Sequence, residues 1–404
     1  MSKILFITPM WHEEATPHDA KVCNYFVDEW IKLGYEVVVI HYRSQFPEVY
    51  HKIAKVLPWL YQRICGDNTG LRKNIPEFEQ QEAGYTVYSI PIYKYVPHGK
   101  LLDRTYIKQA KHLKTKLNEI NYAPDVIIGH FCNPSLGIIK RLQQYYPKAK
   151  TSIVLHEKAS TVKKIFGNDA ELILNSVDSV GFRSASIKES VCSEFNLRNN
   201  LFMCYSGVAS SFVGMSCPPK QWTDNSVNKF LYVGRLANYK HPEVIVEALA
   251  KLYPQKDFSL TFVGSNDNAF PITKKAVKET ETMQQVAFLG QIKRDDIIDL
   301  YDKSDCFVMV SDNEVFGLVY LEAMSRGCIT VAGDNGGMVG IIKHGVNGFL
   351  CKPGDVDALV SIIATINKMT LEEKSMMSDR AKQTVLDFTD KSVAEKYVSF
   401  VMSN

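Results

Sequence analysis

The chain has 404 residues, 46% hydrophobic and 23% charged, enough for two or three domains with sizeable cores. A net charge of +3 points away from a dedicated nucleic-acid binder, and no apolar run reaches 18 residues, so no membrane-spanning helix is expected. The nine cysteines form no CxxC pair, which suits reduced thiols in a cytoplasm rather than a disulfide frame or a zinc site.

Met1 to Met10 lacks the layout of a signal peptide, and Lys3 to Thr8 (KILFIT) reads as a buried strand. Ala20 to Leu33 has helical spacing closed by Gly34, and Glu36 to His41 is a second strand. The chain therefore opens βαβ, the start of a doubly wound α/β fold. The loop from Pro9 to Asp19 holds Trp11, His12, Glu13, Glu14 and His18 but no glycine, which excludes a dinucleotide GxGxxG loop. Residues 42–85 show no clear period, and WLYQR at 59–63 mixes aromatic and basic residues. This stretch reads as an irregular insertion, either an ordinary surface excursion or a substrate-facing one.

Thr86 to Pro91 is a strand, and Lys100 to Ile120 an amphipathic helix with Arg104, Lys108, Lys111, Lys114 and Lys116 on a basic face. Such a face is either solvated or docks on an anionic membrane. Asp125 to Gly129 and Thr151 to Leu155 are strands followed by His130 and His156. Asp178 to Phe182 and Leu201 to Tyr205 are shorter strands, and the turn-rich stretch from SGVASSFVG onward reads as a linker. Residues 1–200 hold 26 Lys+Arg against 20 Asp+Glu, and the remainder 21 against 24. A positive first half suits an anionic acceptor or membrane surface.

A second alternation of strands and helices starts at KFLYV (229–233) and runs through helix Pro242 to Leu252, FSLTFV, a helix near Thr273 to Thr282, VAFLG and helix Arg294 to Lys303. Cys306 to Gly337 completes it. Cys306 to Val310 is a strand, SDNE a turn, Phe316 to Arg326 a helix, and Ile329 to Ala332 a strand ending in GDNGG. The chain is thus expected to hold two similar Rossmann-like α/β domains facing each other across a cleft, 1–206 and 207–385, followed by a final segment 386–404.

Two clusters carry chemistry. VGRLANYKH (233–241) places Gly234 at a turn after a strand, then Arg235 and Lys240 before a helix. A guanidinium fork and an ammonium there suit a diphosphate. Glu314 lies in the loop after the Cys306 strand and Glu322 eight residues on, in the helix. The N–H groups of Phe316, Gly317 and Leu318 are expected to open toward a polar ligand at the helix start. The plainer alternative makes one glutamate a helix cap and leaves the other solvated. No carboxylate cluster suggests a metal cage, so no Mg²⁺ requirement is expected.

VGRLANYK, EVFGLVYLE, GDNGG and HGVNGFL resemble the retaining GT-B-fold glycosyltransferases of the family 4 type (glycosyl transferases group 1). SGVASSF (206–212), HEKAS (156–160) and FTDKSVAEKY (388–397) are weaker echoes. The resemblance implies sugar transfer from a nucleoside-diphosphate sugar, a UDP- or GDP-sugar, with no cofactor. It implies that Arg235 and Lys240 hold the diphosphate beside Gly234, and that Glu314 meets the sugar hydroxyls with the amides of Phe316 and Gly317. Glu322 would bind the ribose, and His156 would approach the sugar from the first domain, unless it is simply a hydrogen-bonded strand-end histidine.

The chain departs from the family pattern in three places. PMWHEEATPHDA replaces the usual Gly-Gly loop, Gly340 stands where GGxxE has its acid, and Asn266 replaces a second glycine. The implied acceptor is a glycan or lipid-linked glycan of the cell envelope. The implied location is the cytoplasm, with peripheral association at the inner face of the plasma membrane. The readings from other classes are a non-catalytic sugar-nucleotide-binding or partner protein on the same fold, and a GT-B epimerase or phosphorylase.

Overall fold

The computed structural model describes residues 1–11, 23–60, 76–94, 101–214, 219–220, 222, 226–293 and 296–403. The chain divides into two compact units. One comprises Met1–Arg183, Ile187–Cys204 and Ala394–Asn404, the other Ser184–Ser186 and Tyr205–Val393.

The first unit holds β1 (Lys3–Thr8), β2 (Glu36–Gln45), β3 (Phe78–Glu82), β4 (Tyr85–Tyr93), β5 (Val126–His130), β6 (Lys150–Leu155), β7 (Ser179–Phe182) and β8 (Asn200–Met203). They form one sheet in the order β3-β4-β2-β1-β5-β6-β7-β8. Every pairing is parallel except β3 with β4. The strands read as continuous apolar runs because helices cover both faces; Ile4, Leu5, Phe6 and Ile7 are wholly buried. Helix Asn24–Lys32 buries Phe26, Val27 and Trp30. The last helix, Asp390–Ser403, sets Tyr397 against Phe26 and Trp30 at 5.3 and 5.4 Å between ring centroids. Trp30 Nε1 donates to the Ala394 carbonyl at 3.0 Å.

The second unit holds β9 (Lys229–Val233), β10 (Ser259–Val263), β11 (Val286–Phe288), β12 (Cys306–Met309), β13 (Ile329–Gly333) and β14 (Phe349–Cys351), ordered β11-β10-β9-β12-β13-β14. All its pairings are parallel. In each sheet the strand order reverses once, between β1 and β5 and between β9 and β12. A crevice opens at the carboxyl ends of the strands at such a reversal, and α/β sheets bind ligands there. Gly234 directly follows β9, His130 ends β5, and the Glu314 loop follows β12.

Several elements differ from expectation. The helix expected from Phe316 begins at Leu318, because Gly317 before it is left-handed with φ of +78°. Residues 42–85 are not irregular throughout: β2 runs on to Gln45, helix Glu48–Val56 follows, and β3 closes an antiparallel hairpin on β4. The expected helix from Lys100 spans Asp103–Glu119, and the one from Arg294 spans Ile297–Lys303. Lys100, Arg294, the loop from His12 to Asp19 and YQR at 61–63 lie outside the described residues. The helices Val356–Lys368 and Leu371–Val385 fall on no expected element, although Thr370 and Glu373 form a capping box at the start of the second.

Candidate active site

In the second unit, the chain leaving β9 makes a tight bend. Gly234 N–H bonds to the Val263 carbonyl at 2.8 Å, and Leu236 N–H to Ser265 at 3.0 Å. A side chain at Gly264 would overlap the Gly234 carbonyl, so the two loops meet backbone to backbone. A short 3₁₀ turn, Asn238–Lys240, then leads through left-handed His241 into helix Pro242–Leu252. This turn folds Lys240 inward, where it is 8% exposed. A Cβ on Gly234 would sit 3.4 Å from the Lys240 ammonium, so this glycine forms part of its wall.

Lys240 Nζ lies 2.8 Å from Glu314 Oε2 and 3.6 Å from Met309 Sδ at the end of β12. That carboxylate oxygen is buried and takes no aligned hydrogen bond, so it has a charge partner but no fixed donor. The loop carrying Glu314 is pinned on both sides. Gly337 N–H bonds to the Glu314 carbonyl at 2.7 Å, and a Cβ on Gly337 would collide with the backbone of Val315 and Phe316. Tyr320 donates to the Met309 carbonyl at 2.7 Å, tying the helix to the strand end. Among the described residues, the N–H groups of Phe316, Gly317 and Leu318 meet no acceptor. The structure therefore brings Gly234, Lys240, Glu314 and these three amides to the strand-order reversal of one sheet, where a negative group would meet an ammonium and open N–H donors.

Arg235 points elsewhere. Its side chain is 62% exposed and pairs with Asp267 at 3.1 Å. Glu322 is 4% exposed and accepts the Tyr301 hydroxyl at 3.2 Å. His241, Asp312 and Asn335 were not anticipated. Asp312 lies 3.3 Å from His241 Nε2 and accepts Asn335 Nδ2 at 2.9 Å. The Asn335 bond, then the His241 bond, hold its carboxyl below the usual range. The only sequence signal for this trio is a pair of matching turns, SDN and GDN, after neighbouring strands.

In the first unit, His156 follows β6 beside His130 at the end of β5, with His130 Nδ1 and His156 Nε2 3.1 Å apart. The His156 ring stacks on Phe131 at 3.7 Å between centroids. Glu157 anchors the corner, accepting the His156 N–H at 3.0 Å and the Cys132 N–H at 3.2 Å. Burial pushes the Glu157 carboxyl upward. Burial, then the charge of Arg183, hold both imidazoles well below their ordinary range; for His156, His130 adds to this. On helix Asp103–Glu119, Lys116 pairs with Glu77 at 2.7 Å and Lys114 lies 4.9 Å from the Tyr145 ring, while Arg104, Lys108 and Lys111 stay exposed. Among the described residues no cluster of three His, Cys, Asp or Glu is placed to hold a metal, and no helix is long and apolar enough to cross a membrane.

The family described as glycosyl transferases group 1 matches residues 219–384. The chain is 30% identical over 168 residues to N-acetyl-alpha-D-glucosaminyl L-malate synthase of Bacillus anthracis, covering 41% of this chain and 43% of that protein. It is 31% identical over 185 residues to an uncharacterized glycosyltransferase of Methanocaldococcus jannaschii, covering 44% and 47%. These matches span less than half of each relative's length. Among solved structures, a glycosyltransferase from Rickettsia africae ESF-5 covers 100% of this chain and 98% of its own at a TM-score of 0.70 and 17% identity. Anabaena Alr3699/HepE, solved in complex with UDP and glucose, covers 100% of both chains at a TM-score of 0.65 and 17% identity. Residues 219–384 match the glycosyl transferases group 1 family, and the whole chain has a GT-B fold.

Proposed function

We propose that the chain is a glycosyltransferase that moves a sugar from a nucleoside-diphosphate sugar, UDP- or GDP-linked, to a glycan or lipid-linked glycan acceptor of the cell envelope. It works with retained anomeric configuration and without a metal. The observation that carries this reading is the buried Lys240–Glu314 pair at 2.8 Å beside the open amides of Phe316, Gly317 and Leu318. An ammonium there stabilises negative charge as the diphosphate departs, which is electrostatic catalysis. Arg235 adds a second cation once it leaves Asp267, Glu314 meets the sugar, Glu322 the ribose, and His156 the sugar. Residues 207–385 are assigned to the donor, residues 1–206 to the acceptor, and the last helix, 386–404, to packing on the first domain. The assigned location is the cytoplasm at the inner membrane face, where Arg104, Lys108 and Lys111 supply exposed cations.

A panel of UDP-, GDP- and ADP-sugars tests this. Slow hydrolysis of one donor without acceptor, unaffected by chelator, is expected, with the transferred sugar keeping its anomeric configuration. Nucleotide binding with no turnover on any envelope acceptor would favour a non-catalytic sugar-nucleotide-binding protein instead.

A further inference from the structure

His130 is wholly buried at the end of β5, and nothing in the proposed chemistry uses it. Its ring is packed among Phe6, Phe26 and Tyr397, at 5.1, 5.6 and 5.8 Å between centroids. Nδ1 has two neighbours, His156 Nε2 at 3.1 Å and Cys23 Sγ at 3.4 Å. Among the described residues Nε2 has none, and it is shut away from water. The groups facing the two rings are Arg183, whose charge opposes protonation of both, Cys23 and Tyr397, with Glu157 below His156. Each ring is therefore neutral and carries one proton.

Only two arrangements satisfy a single hydrogen bond between the rings. In one, His156 Nε2–H donates to His130 Nδ1, and the proton of His130 sits on Nε2, buried with no acceptor. In the other, His130 Nδ1–H donates to His156 Nε2, and His130 Nε2 is a bare lone pair. A buried N–H without an acceptor is the rarer defect in folded proteins. The proton of His130 therefore belongs on Nδ1, where it is donated to His156 Nε2.

From this network we infer that His130 is a positioning residue that locks His156 in the tautomer protonated at Nδ1. With Nε2 occupied by His130, only Nδ1 remains to address a ligand; among the described residues it has no partner. His156 is partly exposed. It thus presents an N–H donor, suited to a hydroxyl or phosphate oxygen, and not a lone pair able to take a proton. The use of that donor on the sugar nucleotide rests on the function proposed above; the tautomer does not.

The test is a long-range proton–nitrogen correlation spectrum of the whole protein with ¹⁵N-labelled histidine. His130 and His156 are assigned by substitution. Wild type should show both rings protonated at Nδ1 and bare at Nε2. His130→Phe suits the aromatic cage but removes the donor, so His156 should revert toward the Nε2–H form that free histidine prefers in water. His130→Asn carries an amide donor close to the position of Nδ1 and should restore the wild-type pattern. Wild-type His156 protonated at Nε2, or an unchanged His156 pattern in His130→Phe, would overturn the inference. Should His130→Phe not fold, the wild-type spectrum alone decides. Turnover then separates the two claims. His130→Phe should lose about five- to tenfold in kcat/KM, the effect of one hydrogen bond, with Asn restoring it. A locked tautomer together with full activity in His156→Phe would refute the sugar assignment while leaving the positioning role intact.

Discussion

The Lys240–Glu314 pair makes a counterintuitive prediction: removing the acid should tighten nucleotide binding while impairing transfer. At 2.8 Å the gross attraction of the pair is about 6 kcal/mol at an effective dielectric of about 20. Desolvation offsets much of that, since the side chains are 11% and 18% exposed. A diphosphate that takes the far side of the ammonium stands about twice the pair distance from the carboxylate, roughly 6 Å. One phosphate charge there is repelled by about 3 kcal/mol gross on the same scale. Allowing about half for solvent, Glu314→Gln should bind bare UDP or GDP about tenfold more tightly. The gain should shrink as salt is raised. The same variant loses the carboxylate proposed to meet the sugar as positive charge develops on it, so kcat should fall roughly 10²-fold. Calorimetric titration of the nucleotide into wild type and variant, beside steady-state kinetics, measures both. Weaker or unchanged nucleotide binding in Glu314→Gln would show that the diphosphate does not use Lys240, and the site would have to be reassigned.

Arg235→Ala should cut kcat/KM by roughly 10²–10³, with no loss of melting temperature because its partner Asp267 is on the surface; near-native turnover would remove Arg235 from the diphosphate. Glu322→Gln should raise donor KM about tenfold with kcat nearly kept, whereas Glu322→Ala should also lower the melting temperature, since the Tyr301 hydroxyl loses its acceptor. A fall confined to kcat in the Gln variant would contradict the ribose assignment. The histidine pair should make the protein acid-sensitive. Burial and Arg183 hold both imidazoles well below their ordinary 6.5, so the unfolded chain binds protons that the folded chain refuses. Stability is full above that value and falls as pH drops below it, by at most about 1.4 kcal/mol per pH unit for each group. Thermal melts from about pH 7.5 to about pH 5.5 should show the loss, and His130→Phe should reduce the slope; a flat profile would mean that the pair takes up protons in the folded state.

The sequence by itself determined the architecture and pointed to Gly234, Lys240 and Glu314 in the second unit. Buried parallel strands announce themselves as apolar runs, as KILFIT and KFLYV do, because both faces of such a sheet are covered. Proline at the first helical position and the turn glycines set several boundaries, so helix Pro242–Leu252 fell where its residues place it. Stretch 42–85 did not, because its hairpin depends on pairing with β4, a long-range bond that leaves no local period. The helix start slipped by two residues because Gly317 takes a left-handed turn dictated by its neighbours. Strand order, and with it the position of each crevice, is also invisible in a linear pattern: β9 meets β12 only after two strands have gone to the other side. That crossing sets Lys240 against Glu314, and the corresponding crossing of β1 and β5 sets His130 between Cys23 and His156. Residue types reveal which chemistry is available. Whether an ammonium faces a carboxylate, or which nitrogen of a histidine holds the proton, depends on a few ångströms between strands far apart in the chain, and only packing sets those distances.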